Sequence, residues 1–211
     1  DYTLCPQFAQ THLEPGGFAE YFKVPAPNLQ IDTLELPDKL SYEEATLIEP
    51  VGCCIRAQNK AGVHKGDSVG VIGAGPSGII HAMLAKIAGA SQILIMDLVD
   101  YRLKMAERLG ADLTINPQNE DIAQKVKQAT EDRGVDIVIV TAPNAKAIED
   151  SVQIVRRGGK ILLFAPTQPD QYARMSPHRL FFSEITVIPS YSVSHVETRE
   201  ALQLISSGAL K

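Results

Sequence analysis

Val69-Gly-Val-Ile72-Gly73-Ala-Gly75-Pro76-Ser77-Gly78 joins a short apolar run to a glycine-spaced turn and then to a helical stretch, and the reading of this junction decides the fold. Val69–Ile72 shows no polar alternation, which marks a strand covered on both faces. Beyond the turn, Ile79, Met83 and Ile87 recur at helical spacing. Each glycine has its own physical task. Gly73 permits the tight turn, Gly75 lets backbone come close to a diphosphate, and Gly78 lets the helix pack closely on the strand. Behind Pro76, the amides of Ser77 and Gly78 are expected to face phosphate oxygens, assisted by the positive end of the helix. Glycine-spaced turns also occur without a ligand, so the flanking context carries the weight.

The same rhythm repeats outward from this junction. Ile93-Leu-Ile-Met96, Ile137-Val-Ile-Val140 and Ile161-Leu-Leu-Phe164 are further strong apolar runs, while Leu113-Thr-Ile115 and Ile185-Thr-Val-Ile188 are weaker and belong nearer the edges. Gly89 and Gly110, each followed by Ala, sit where helices need a left-handed stop. Strand and helix alternating about six times predicts an α/β protein with a doubly wound parallel sheet, a Rossmann arrangement. Upstream, Ser41-Tyr-Glu-Glu44 fits a capping box that opens a helix, and another helix is expected from about Pro50 to Ala61. Phe18-Ala-Glu-Tyr-Phe-Lys-Val24 reads as a strand, and Pro25, Pro27 and Pro37 break the stretch after it.

Asp97 closes the second strong strand about twenty residues beyond Gly78. Its carboxylate can accept both ribose hydroxyls of the adenosine in NAD, whereas a 2′-phosphate would be repelled by on the order of 4 kcal/mol per charge pair near a surface. NAD is therefore the expected cofactor. Arg102, five residues on, reads equally as a solvated first-turn residue or as a ribose contact. Thr141-Ala142 and Phe164-Ala165-Pro166 follow the fourth and fifth strong runs, and loops at the carboxyl ends of such strands are expected to face the nicotinamide half.

With 211 residues, 45% apolar and 21% charged, the chain can bury one full domain with an appendage. Its net charge is -5 and its basic residues form no stripe, which argues against a nucleic-acid partner. No apolar run is long enough for a bilayer and no signal pattern opens the chain, so no membrane partner is expected. Three cysteines, two of them the adjacent Cys53 and Cys54, make no disulfide framework and point to a reduced, cytoplasmic setting. His12, His64, His81, His178 and His195 show no metal-ligand spacing. The opening at Asp1 without Met reads as part of a longer chain.

Taken in order, several phrases resemble the medium-chain dehydrogenase/reductase family, in its zinc-type sorbitol and threonine dehydrogenase branch. They are Gly16-Gly-Phe-Ala-Glu-Tyr21, Glu49-Pro50, Val63-His-Lys-Gly-Asp-Ser-Val69, the glycine turn, Asp97 with Arg102, Leu109-Gly-Ala-Asp112 and Arg157-Gly-Gly-Lys160. The resemblance implies a partial GroES-like, β-rich catalytic domain over residues 1–48 and an NAD-binding Rossmann domain over residues 49–211. It implies an alcohol or polyol dehydrogenase acting with NAD and zinc on a small-molecule alcohol, and a homo-dimer or tetramer through the sheet edge. Glu49 matches a glutamate that ligates the catalytic zinc or holds its water. Cys5 matches the last cysteine of a structural zinc lobe whose partner cysteines lie outside this sequence. Tyr191 falls in the nicotinamide or active-site segment. From the residues alone, Glu49 at a helix cap is unusual, since glutamate is not a favoured cap residue. Two alternatives stay open: a zinc-free quinone or enoyl reductase of the same superfamily, and a non-catalytic NAD-sensing module.

Overall fold

The computed structural model describes residues 2–6 and 13–210. The chain divides into two compact units, one of residues 1–56 with 191–211 and the other of residues 57–190. In the first unit, α1 (Ala26–Ile31) begins directly after Pro25 and carries Pro27 in its first turn. The prolines there start a short helix instead of only breaking structure, because the fixed φ suits a first turn that needs no amide. The expected capping box is present at α2 (Tyr42–Ala45): Ser41 Oγ accepts from the Glu44 amide at 3.2 Å and the Glu44 carboxylate accepts from the Ser41 amide at 3.0 Å. Then α3 (Ile48–Ala61) runs into the second unit.

Phe18–Val24 is not a strand. Among the described residues the segment makes one isolated antiparallel bridge, Glu14 to Lys23, and Phe18 and Tyr21 are fully or largely exposed. Aromatic and β-branched residues favour a pleated surface only where a neighbouring strand completes the ladder, and none pairs with Phe18–Phe22.

The second unit holds the predicted doubly wound sheet. Its strands are β1 (Ser68–Ile72), β2 (Gln92–Met96), β3 (Leu113–Ile115), β4 (Val135–Val140), β5 (Val155–Leu163) and β6 (Thr186–Pro189), all parallel, in the order β3-β2-β1-β4-β5-β6. The short, weakly apolar runs are indeed the two edges. Period-two alternation sends Val69, Val71, Ile93, Ile95, Ile137 and Ile139 to one face and Leu94, Met96, Val138 and Val140 to the other. The first face is covered by α4 (Pro76–Ile87) and α5 (Asp100–Arg108) through Ala82, Ala85, Leu103 and Ala106. The second is covered by α6 (Ile122–Ala129) and α7 (Ala145–Ile154) through Val126, Ala147 and Val152. Gly89 (φ 85°) and Gly110 (φ 105°) adopt the left-handed stops expected of them. The chain crosses between faces where β1 meets β4, and this switch point opens a crevice at the strands' carboxyl ends. After β5 come α8 (Pro177–Ser183), the edge strand β6 and, in the first unit, α9 (His195–Ser206).

Candidate nucleotide-binding site

Two of the three glycines in the turn are required by the chain's own packing. Gly73 has φ 113°, and a Cβ there would stand 2.5 Å from Thr141 Oγ1. A Cβ on Gly78 would stand 1.9 Å from the Gly73 carbonyl oxygen, an impossible approach that only glycine avoids. Gly75 differs. Its φ is -71°, open to any residue, and an added Cβ would meet nothing within 4 Å. Nothing inside the protein demands a glycine there, so the open space over its backbone is the feature that points outward. Gly75 caps α4, Pro76 and Ser77 fill its first turn, and the helical ladder first closes from the Ile79 amide to the Gly75 carbonyl at 3.0 Å.

Asp97 stands beside this turn at the end of β2. Its Oδ2 accepts from the Ala74 amide at 2.7 Å and its Oδ1 from the Val99 amide at 2.9 Å, so it ties the turn to its own strand. The side chain is 8% exposed, and the half-exposed Arg102 guanidinium lies 3.7 Å away. A carboxylate offers about four acceptor positions. Two are used here, and two remain for hydroxyl donors. Thr141 is placed by β4 across the turn, where its hydroxyl lies 3.1 Å from the Ile72 carbonyl and 3.0 Å from that of Gly73. It therefore supports the turn from beneath. Ala142 joins Gly73, Asp97, Arg102, Asn144 and Lys146 around a cleft of about 690 Å³. That volume falls within the roughly 300–1,000 Å³ of small-molecule and cofactor sites.

Ala165 follows β5, with its amide 3.3 Å from the Val140 carbonyl. The preceding Phe164 packs on a group that the sequence singled out only as lacking metal-ligand spacing. His81 is fully buried in α4, with Nδ1 3.2 Å from Gln58 Nε2, a donor, so Nδ1 accepts and Nε2 carries the proton. Nε2 has no hydrogen-bond partner. The ring stands nearly perpendicular to that of Phe164, with centroids 4.6 Å apart at 88°. Burial depresses its pKa to about 3 and keeps it neutral. Only the pairing of a buried helical histidine with an aromatic at a strand end would have disclosed it, and that pairing is not visible in one dimension.

The remaining expected site residues, Glu49, Cys5 and Tyr191, belong to the first unit. Glu49 is not a cap residue: α3 starts at Ile48 and places Glu49 inside the first turn, where the helix dipole favours an acid. The apparent misfit at this position therefore disappears. Its Oε1 accepts from the Cys53 thiol at 3.2 Å. Burial, and then the bond to Glu49, push the Cys53 thiol up to about 12, so it stays a proton donor. Cys5 is an exposed free thiol, Cys54 is buried, and Tyr191 is 66% exposed. His12 lies outside the described residues. Among the described residues no group of three or more His, Cys, Asp or Glu side chains is placed to hold a metal ion. No helix among them is long and apolar enough to cross a membrane.

Residues 76–207 match the family profile described as zinc-binding dehydrogenase. The chain is 38% identical over 164 residues to sorbitol dehydrogenase of Bacillus subtilis (strain 168), covering 77% of this chain and 45% of that relative. It is 35% identical over 171 residues to L-threonine 3-dehydrogenase of Symbiobacterium thermophilum, covering 80% of this chain and 47% of that one. Thus it spans about half the length of the curated relatives it matches. A protein of Sinorhizobium meliloti 1021, solved bound to NADP, superposes with a TM-score of 0.86 at 25% identity, over 99% of this chain and 64% of that one.

Proposed function

This chain belongs to the zinc-binding dehydrogenase family, and from that premise we propose that it is the NAD-binding portion of an alcohol or polyol dehydrogenase. The observation that carries the reading is Gly75, a glycine that neither backbone conformation nor packing requires, at the start of a helix beside an acid with two acceptor positions to spare. In this reading Gly73, Gly75, Pro76, Ser77 and Gly78 hold the diphosphate, Asp97 accepts from the adenosine ribose, and Thr141, Ala142 and Ala165 border the nicotinamide. The bound nicotinamide would supply a hydride acceptor for the carbinol carbon of the substrate. The chain's own contribution is to bind and orient. Thr141 and Asp97 keep the turn open before any ligand arrives, and His81 holds Phe164 at the end of β5.

Relatives that act on sorbitol and L-threonine support a polyol, amino alcohol or secondary alcohol as substrate of the whole protein. Glu49 and Cys5 by themselves do not compose a zinc site: Glu49 is engaged by Cys53 and, among the described residues, no third ligand stands near either. The half-exposed edge strand β6 is the proposed seam for a dimer or tetramer, and sedimentation as a strict monomer would remove it.

NADP is the second reading, favoured by the half-exposed Arg102 and by the NADP-bound relative. Calorimetric titration with each nucleotide separates them. NAD is expected to bind the tighter, and Asp97→Asn to narrow the preference by at least about tenfold, the lower bound for one lost charge repulsion of up to about 4 kcal/mol near a surface. Tighter binding of NADP by the unmodified chain would overturn the NAD assignment while leaving the cradle standing.

A further inference from the structure

Folding gathers five cations that the sequence scatters. Lys127 in the last turn of α6, Arg133 before β4, Arg156 and Arg157 in β5, and Arg179 in α8 all line one groove at the end of the sheet opposite the glycine turn. One carboxylate, Asp132, lines that groove, and a second, Asp136, is bonded to two of its cations, Arg133 and Arg156. Asp136 is already spent: its Oδ2 accepts from the Ser68 amide at 2.8 Å, the Ser68 hydroxyl at 2.6 Å and Arg133 at 3.0 Å, and its Oδ1 from Arg156 at 2.5 Å. Arg157 and Arg179 reach neutral oxygens, the Phe182 carbonyl at 3.0 Å and the Gln153 side chain at 2.7 Å. Lys127 makes no side-chain hydrogen bond or ion pair among the described residues.

Five cations against two carboxylates, Asp132 in the lining and Asp136 paired with Arg133 and Arg156, leave three positive charges together in a chain whose net charge is -5. The carboxyl ends of α6 and α7 also reach the groove, and each contributes about half a negative charge. About two positive charges therefore stay uncompensated at close quarters, enough to balance a phosphate dianion near neutral pH, about -1.5 to -2. The groove holds about 170 Å³. That is below the roughly 300–1,000 Å³ of drug-sized ligands and suits a tetrahedral oxyanion or a short ester, not a dinucleotide.

We propose that the groove formed by Lys127, Arg133, Arg156, Arg157 and Arg179 is an anion site for a phosphate dianion, free or as the phosphoryl group of a small ester. It stands apart from the glycine turn and does not depend on the nucleotide reading. Guanidinium groups suit this role because their forked donors match phosphate oxygens two at a time.

Amide NMR of the chain titrated with inorganic phosphate at constant ionic strength tests it. Saturating shifts are expected at Gly134 and Gly158, which flank the cationic side chains. Lys127→Gln should weaken the response several-fold and the Arg157→Gln/Arg179→Gln pair by about tenfold or more. A parallel titration with glycerol 3-phosphate distinguishes sources: tighter binding than phosphate assigns the site to esters, weaker binding to the free ion. Shifts confined to Gly73, Gly75 and Gly78 would overturn the site, as would shifts that never saturate. Should the double variant fail to fold, Lys127→Gln decides alone, and an unchanged response in it would contradict the proposal.

Discussion

The glycine turn at the end of β1 and the first turn of α3 both place an acid beside a helix start, yet only one of them is a finished device. Asp97 is locked by two backbone amides and still has acceptor capacity, while Thr141 braces the turn from below. Glu49 has a single thiol for company and, among the described residues, no neighbours that would make it a metal site. The difference is one of locality. A diphosphate cradle is assembled mainly from one strand, one turn and one helix, so the contiguous stretch from β1 to Asp97 supplies most of it and only the Thr141 brace comes from farther along the chain. A zinc site needs three or four ligands brought from separate places, and the described residues supply at most fragments of one.

The sharpest way to break this contrast is Gly78→Ala. With a Cβ forced to within 1.9 Å of the Gly73 carbonyl, the cradle cannot keep its shape, and a loss of at least about 3 kcal/mol is expected, the upper end for overpacking. An unaltered melting curve would show that α4 does not pack as described. Acid should act on the same helix. His81 is neutral and buried in the folded chain with a pKa of about 3, against 6.5 when unfolded. The unfolded chain therefore binds the extra proton, and stability is lost as pH falls below 6.5. The loss reaches about 2.7 kcal/mol at pH 4.5. Urea midpoints measured from pH 8 to 4.5 should fall steeply, and His81→Gln should flatten the slope.

Gly75→Ala separates ligand from fold. Since the added methyl meets nothing, the melting temperature without nucleotide should hold within a degree or two, yet NAD affinity should drop about tenfold or more, because the methyl occupies the diphosphate's approach. Equal loss of fold and affinity would make Gly75 structural. The smallest effect belongs to the α3 side. Cys53→Ala should leave NAD affinity within about twofold, and a thiol reagent should consume the exposed Cys5 quickly, the half-buried Cys53 slowly because its raised pKa leaves little thiolate, and the buried Cys54 only on unfolding.

The sheet was legible because a strand buried on both faces has to be apolar at every position, as β1 and β4 nearly are. The turn was legible because two of its glycines have no permissible substitute. What the sequence hid depended on partners distant along the chain. Phe18–Val24 has strand composition without a neighbouring strand. Glu49 looks misplaced in one dimension because Pro50 draws the expected start of α3 two residues late. The use of Asp97 and Thr141 to hold the turn comes from tertiary hydrogen bonds between β1, β2 and β4. The cationic groove draws on residues from 127 to 179 that form no stripe until the sheet folds.

The most direct measurement is a crystal structure of the chain soaked with NAD. The account predicts the diphosphate over the Gly75 backbone at the start of α4, with the adenosine ribose hydroxyls donating to Asp97 while the Ala74 and Val99 amides keep their bonds to it. An empty crevice, or a nucleotide bound with its ribose away from Asp97, would contradict it.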